Sequence, residues 1–162
     1  KPAHISGRID VALVKIEIPS RLREVKLNDN YDTIGPGDAV LVMGYPGILP
    51  DVAAVTRSKN ALNPDLAAKG LPDPTVSVGQ VGRTVRAPEG AGETLAGALG
   101  EGYRLTVNSA GSGNSGGPVF DGQGRVIAIF TAGRAMPGDA AVSLAVPIRY
   151  GIELLGAGKV MK

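Results

Sequence analysis

The sequence contains no cysteine. Disulfides, thiol chemistry and a zinc site built on cysteines are therefore excluded, while the compartment stays open. It has a single histidine, His4, and no basic block: 17 Lys and Arg are spread along the chain against 15 Asp and Glu, a net charge of only +2. Such a balance implies neither nucleic acid nor an anionic membrane surface as a partner. No apolar run approaches the length of a membrane span. No secretory leader is visible, although a sequence that begins inside a domain would have lost one.

Glycine and proline, by contrast, are plentiful. The 162 residues include 24 glycines and 12 prolines, with 43% hydrophobic and 20% charged residues. That is one domain's worth of chain with enough apolar content for a core, and its turn density suits an all-β protein. Apolar β runs recur at Ile9 to Ile16, Val40 to Met43, Val76 to Val85, Tyr103 to Val107, Val119-Phe120, Val126 to Phe130 and Val142 to Val146. Pro147 suits a first helical turn, so a helix is expected from Ile148 to about Leu155, ending at Gly156. Pro19 to Asp38 is polar and turn-rich. Ile48 to Pro74 carries four prolines and few strand signals, and reads as a long loop with a helical turn near Asp65 to Lys69. Ala87 to Gly102 and Ala132 to Asp139 read as further loops. Long loops of this kind are often functional or mobile.

One stretch organises the rest: Gly111-Ser112-Gly113-Asn114-Ser115-Gly116-Gly117-Pro118, set between β runs. Its glycines permit sharp turning and close approach of a ligand, and successive N–H groups in such a loop can converge on an anion. A serine attacking a carbonyl needs such donors for the oxyanion it creates. Two other motifs match literally. Gly111-x-Gly113-x-x-Gly116 fits the dinucleotide fingerprint, but that requires a helix next, and here Pro118 and a β run follow. Gly113-x-Ser115-x-Gly117 fits the nucleophile elbow, but that also needs a helix, with aspartate and histidine later in the chain. A plain Gly-rich hairpin turn is the remaining alternative.

From residue 10 onward the chain resembles the HtrA/Deg branch of the trypsin-like serine proteases. The blocks that carry the resemblance are Asp10-Val11-Ala12-Leu13-Val14-Lys15-Ile16, Ile34 to Val40 with Met43-Gly44-Tyr45-Pro46-Gly47, Thr75 to Val81, the serine loop from Asn108 to Pro118, and Val142 to Ile148. Two departures stand out. The histidine block that precedes the aspartate strand in that family is absent, and Ile48 to Pro74 is longer than the family connection. The implied fold is all-β, a trypsin-like double β-barrel of Greek-key type. Residues 1–20 would be a remnant of the first barrel, 21–38 the connector, 39–147 a complete second barrel, and 148–162 a C-terminal helix and tail.

The resemblance also implies roles. Ser115 would be the nucleophile, the N–H groups of Gly113 and Ser115 the oxyanion hole, and Asp10 the orienter of a triad histidine lying outside this chain. Ser109 would sit at the base of the primary specificity pocket, where a neutral side chain favours a small or aliphatic residue before the scissile bond. Phe130, Thr131 and Ala132 would be the edge that pairs with substrate as an added strand. The reaction is acyl transfer to Ser115 followed by hydrolysis, with no cofactor and no metal. Implied partners are polypeptide substrates, further copies of the chain in a trimer, and a PDZ domain following Lys162. The implied location is the bacterial cell envelope, periplasmic or membrane-anchored. His4 precedes Asp10 by six residues, roughly 20 Å along one strand, and a hairpin at Ser6-Gly7 would aim it elsewhere; it reads as an ordinary strand residue. The rivals are a non-catalytic relative that binds peptides in the same cleft, and an adaptor barrel in which the loop is only a turn.

Overall fold

The computed structural model of the chain describes residues 11–45, 54–56, 69–71, 74–86, 101–107, 113–134 and 142–160. Strands β1 (Ala39–Gly44), β2 (Ala54–Thr56), β3 (Lys69–Leu71), β4 (Thr75–Val85), β5 (Gly102–Val107), β6 (Pro118–Asp121), β7 (Val126–Arg134) and β8 (Val142–Pro147) precede helix α1 (Arg149–Val160). Six of them close an antiparallel barrel in the order β1-β4-β5-β8-β7-β6, with β6 returning to β1. The expected β-barrel with a C-terminal helix is borne out. β2 and β3 form a separate two-stranded ladder, so the stretch read as one long loop contains a hairpin.

Side-chain alternation explains the closure. In β1, Val40 and Val42 point inward and are buried, while Leu41 and Met43 face out. Val81, Tyr103, Leu105, Val119, Ile127 and Phe130 fill the same core from the other strands. Each fully buried large side chain is worth about 1.5–3 kcal/mol, so this interior is the main source of stability. β5 and β6 are not neighbours, so the connection between them must cross one end of the barrel. That crossing carries Ser115.

The connector is fastened to the barrel at two places. Lys26 to Asn28 runs beside the start of β7: Asn28 N–H donates to Val126 O at 2.9 Å and Val126 N–H to Lys26 O at 2.8 Å. Further on, Tyr31 opens a short 3-10 turn (Tyr31–Thr33) and is buried. Its hydroxyl lies 2.8 Å from Val85 O and 2.9 Å from Gly102 O, joining the last residue of β4 to the first of β5. The Tyr31 ring lies against Tyr103, with centroids 4.9 Å apart, and the Arg149 guanidinium sits 4.8 Å from its centre. Arg149 in turn donates to Glu101 at 2.9 Å. Asp121 holds the β6–β7 turn, its carboxylate accepting from the N–H groups of Gln123 and Arg125, from the Arg125 guanidinium and from Asn28.

Three expectations need correction. The β run expected over Ile9 to Ile16 is, in its described part, not a strand: only Leu13 makes an isolated bridge. Val14 and Ile16 are 72% and 62% exposed, because no neighbouring strand among the described residues completes a ladder along them. The helix does not stop at Gly156 but continues through Gly158 to Val160. A glycine ends a helix by taking a left-handed conformation, and Gly156 is not among the glycines with positive φ. β7 runs four residues beyond Phe130, held by its pairing with β8. The expected helical turn lies, up to residue 68, outside the described residues, as do residues 87–100 and 135–141.

Candidate active site

The crossing loop is described from Gly113 onward. Gly113 and Gly116 have φ of +101° and +84°, the left-handed region where only glycine is unstrained. Four backbone hydrogen bonds stitch the loop down. Tyr45 N–H donates to Gly113 O at 3.3 Å, Gly117 N–H to Asn114 O at 2.9 Å, Gly116 N–H to Phe130 O at 2.7 Å, and Phe130 N–H to Gly117 O at 2.9 Å. The end of β1 thus supports one side of the loop and β7 the other.

Asn114 is buried beneath the loop. A Cβ on Gly44 would fall 2.2 Å from Asn114 Oδ1, and a Cβ on Gly117 would fall 2.3 Å from Met43 O. Both positions therefore require glycine for close approach, a role that sequence reading missed. The signal was present in the pairs Met43-Gly44 and Gly116-Gly117, but only the packing of β1 under the loop gives it meaning. Asn114 Nδ2 is buried with no partner among the described residues.

Ser115 is exposed, and its hydroxyl donates to Thr131 O at 3.1 Å. Neither Gly113 N–H nor Ser115 N–H donates to another described backbone carbonyl. The serine opens on a depression of about 440 Å³ lined by Val11, Ala12, Val14, Gly116, Ile129 and Thr131, with Phe130 as floor. The segment that follows position 10 therefore runs alongside Ser115. Asp10, His4 and Ser109 lie outside the described residues.

The strand read as a substrate edge has an internal division. Phe130 is fully buried, and both of its backbone groups are taken by the serine loop. Thr131 is the extra residue of a β-bulge between Phe130 and Ala132 in the pairing with β8. Bulges re-aim backbone groups and are common beside active sites; here the Thr131 carbonyl meets the Ser115 hydroxyl. Chemically, the depression presents a hydroxyl with backbone donors beside it. Among the described residues that line it, none has a titratable side chain. Among the described residues, no group of three or more His, Cys, Asp or Glu is placed to hold a metal.

Comparison with solved structures finds the same fold in proteases. The chain is similar to the HtrA-type protease AlgW in a structure with a decapeptide, at 21% identity and a TM-score of 0.68 over 97% of this chain and 39% of that one. It is also similar to Deg5, at 23% identity and a TM-score of 0.61 over 94% of this chain and 57% of that one. The chain thus spans 39% and 57% of the length of these two structures. No curated protein matches its sequence. The profile of the trypsin-like peptidase domain matches residues 1–129, from the segment beside the depression through the serine loop to β7. With a barrel that shares the protease fold and a match over most of its length, this chain belongs to the trypsin-like peptidase family.

Proposed function

We propose that the chain is the serine-endopeptidase part of an HtrA/Deg-type protease. The observation that carries the reading is the exposed Ser115 hydroxyl on a loop shaped by two left-handed glycines, beside N–H groups without a described backbone acceptor. Ser115 attacks the scissile carbonyl, and the Gly113 and Ser115 N–H groups hold the oxyanion. A histidine outside this chain takes the Ser115 proton and returns it to the leaving amine. Asp10 fixes the tautomer of that histidine and stabilises its charged form; the course of residues 11–14 beside Ser115 supports this role. Water then hydrolyses the acyl-enzyme, with no cofactor.

In the resting state the Ser115 proton is held by Thr131 O, and the histidine must draw it away. The substrate strand pairs from Thr131 onward through Ala132, over the Phe130 floor. Ser109 lines the pocket for a small or aliphatic side chain. By resemblance, the parent protein assembles as a trimer in the cell envelope and continues into a PDZ domain.

The test compares two proteins. The isolated chain is expected to hydrolyse casein no faster than its Ser115→Ala variant, since loss of one triad member removes roughly a million-fold of rate. A parent protein carrying the histidine segment hydrolyses casein and loses this on Ser115→Ala. Steady hydrolysis by the isolated chain, abolished by Ser115→Ala, would refute the external histidine. The second reading, a peptide-binding relative without catalysis, draws on the departure in the sequence, which lacks the histidine block of the family. It is established if the parent has another residue at the histidine position and binds peptides without cutting them.

A further inference from the structure

The outer wall of the barrel carries a feature that this chemistry leaves unused. Leu41 of β1 faces Val78 of β4 on one side and Phe120 of β6 on the other, and Met43 faces Val76. All five belong to the outward set of their strands, and Val76 and Val78 are 49% and 65% exposed. This apolar stripe begins at the serine loop, whose Gly113 carbonyl accepts from Tyr45 at the end of β1. Farther along β4 the wall turns polar: Gln80 faces Thr106, and then Arg83 faces Arg104 directly across the β4–β5 ladder.

Two like charges opposite each other destabilise a sheet, and among the described residues neither guanidinium has an acidic partner. The pairing is produced by a bulge. Val81 points into the core, so Arg83, two residues on, would point inward as well; the register shift between Val81 and Arg83 turns it outward. Gly82 sits at the shift, where a Cβ would lie 2.9 Å from Thr106 Oγ1. A local irregularity thus sets two cations, without an acidic partner among the described residues, at the far end of an apolar stripe that starts at the serine loop.

We propose that this track is an exosite for extended polypeptide whose apolar residues are followed by acidic ones. The proposal rests on the peptidase reading and names a substrate class for it. From Val76 to Arg83 the track runs roughly 23 Å, the span of about seven extended residues. Charge favours an acidic segment over a basic one. A bilayer is disfavoured because its headgroups would call for cations around the stripe, not at one end.

The experiment measures binding to the isolated chain, so it does not depend on catalysis. A fluorescein-labelled peptide with an apolar half and a half of Glu and Asp is titrated by anisotropy, beside a twin in which Lys replaces each acid. The acidic peptide binds, more weakly as salt rises, and the Lys twin does not. R83E with R104E weakens binding by about tenfold or more. V78D weakens it too, while S115A leaves it unchanged; unaltered circular dichroism confirms that each variant is folded. Equal binding of both peptides, no binding, or binding indifferent to R83E/R104E overturns the exosite. So does transfer of the Arg83 and Arg104 dependence to phosphatidylglycerol vesicles in place of the peptide. Loss of casein hydrolysis in the parent with peptide binding intact would count against the peptidase reading alone.

Discussion

At the scale of single residues, the serine loop depends on groups that take no part in the proposed chemistry. Gly117 and Gly44 are held in contact with Met43 O and Asn114 Oδ1, so a methyl group has no room at either position. Gly117→Ala is expected to cost about 1–3 kcal/mol, read as a lower urea midpoint, whereas Ser115→Ala, on the surface, changes that midpoint little. Asp121 gives a pH-dependent counterpart. Its partial burial would raise the carboxyl's pKa, but the hydrogen bonds from Arg125, Gln123 and Asn28 outweigh this and hold it below the ordinary carboxylate value. A depressed carboxyl contributes stability that is present above its unfolded value of about 4 and fades as pH falls through the folded one. Asp121→Asn is therefore expected to remove about 1–2 kcal/mol at neutral pH and to flatten the loss of stability below pH 4. Acid titrations of wild type and variant by circular dichroism check both.

At the scale of elements, Tyr31 is the pin that joins connector, β4, β5 and α1. Removing its hydroxyl leaves the carbonyls of Val85 and Gly102 without that donor, and Tyr31→Phe should cost about 1–3 kcal/mol by thermal unfolding. Burial raises the pKa of both Tyr31 and Tyr103. A raised phenol contributes stability that is complete below the unfolded value of about 10 and is lost as pH climbs through the folded one. The wild type should thus unfold in alkali above pH 10, and Tyr31→Phe should show a shallower alkaline limb. How much of this was legible in the sequence follows from where the physics is local. Strands such as β1, β5 and β8 were readable because alternation or continuous apolar character is written in consecutive residues. The serine loop was readable because Gly113-Asn114-Ser115-Gly116-Gly117-Pro118 encodes its own turns. The Tyr31 pin and the glycine contacts under Ser115 were not, because their partners lie tens of residues away. The bulges at Gly82 and Thr131 were missed because a register shift belongs to a pair of strands. Helix α1 was cut short because glycine at 156 was read by propensity alone.

At the scale of the whole molecule, the described residues before the barrel leave Val14, Ile16, Ile18, Leu22 and Val25 exposed. Apolar side chains recurring at alternate positions, as Val14, Ile16 and Ile18 do, invite pairing with another chain. The isolated chain is therefore expected to associate as its concentration rises, and I16T with I18T should shift sedimentation velocity toward the monomer; identical profiles would argue against this. The closed barrel has a last consequence, and it concerns time. Leu41 pairs with Phe120, roughly eighty residues downstream, and contacts so distant form slowly. Ser115 is synthesised before Phe130, yet Gly116 takes its bearing from the Phe130 carbonyl, and β7 in turn is held by β8. On a ribosome Ser115 therefore exists for some fifteen residues before the group that orients its loop, and longer before the barrel closes. If the parent protein cuts peptides as proposed, this strand order leaves Ser115 unoriented while its own unfolded segments and those of its neighbours are most open to attack.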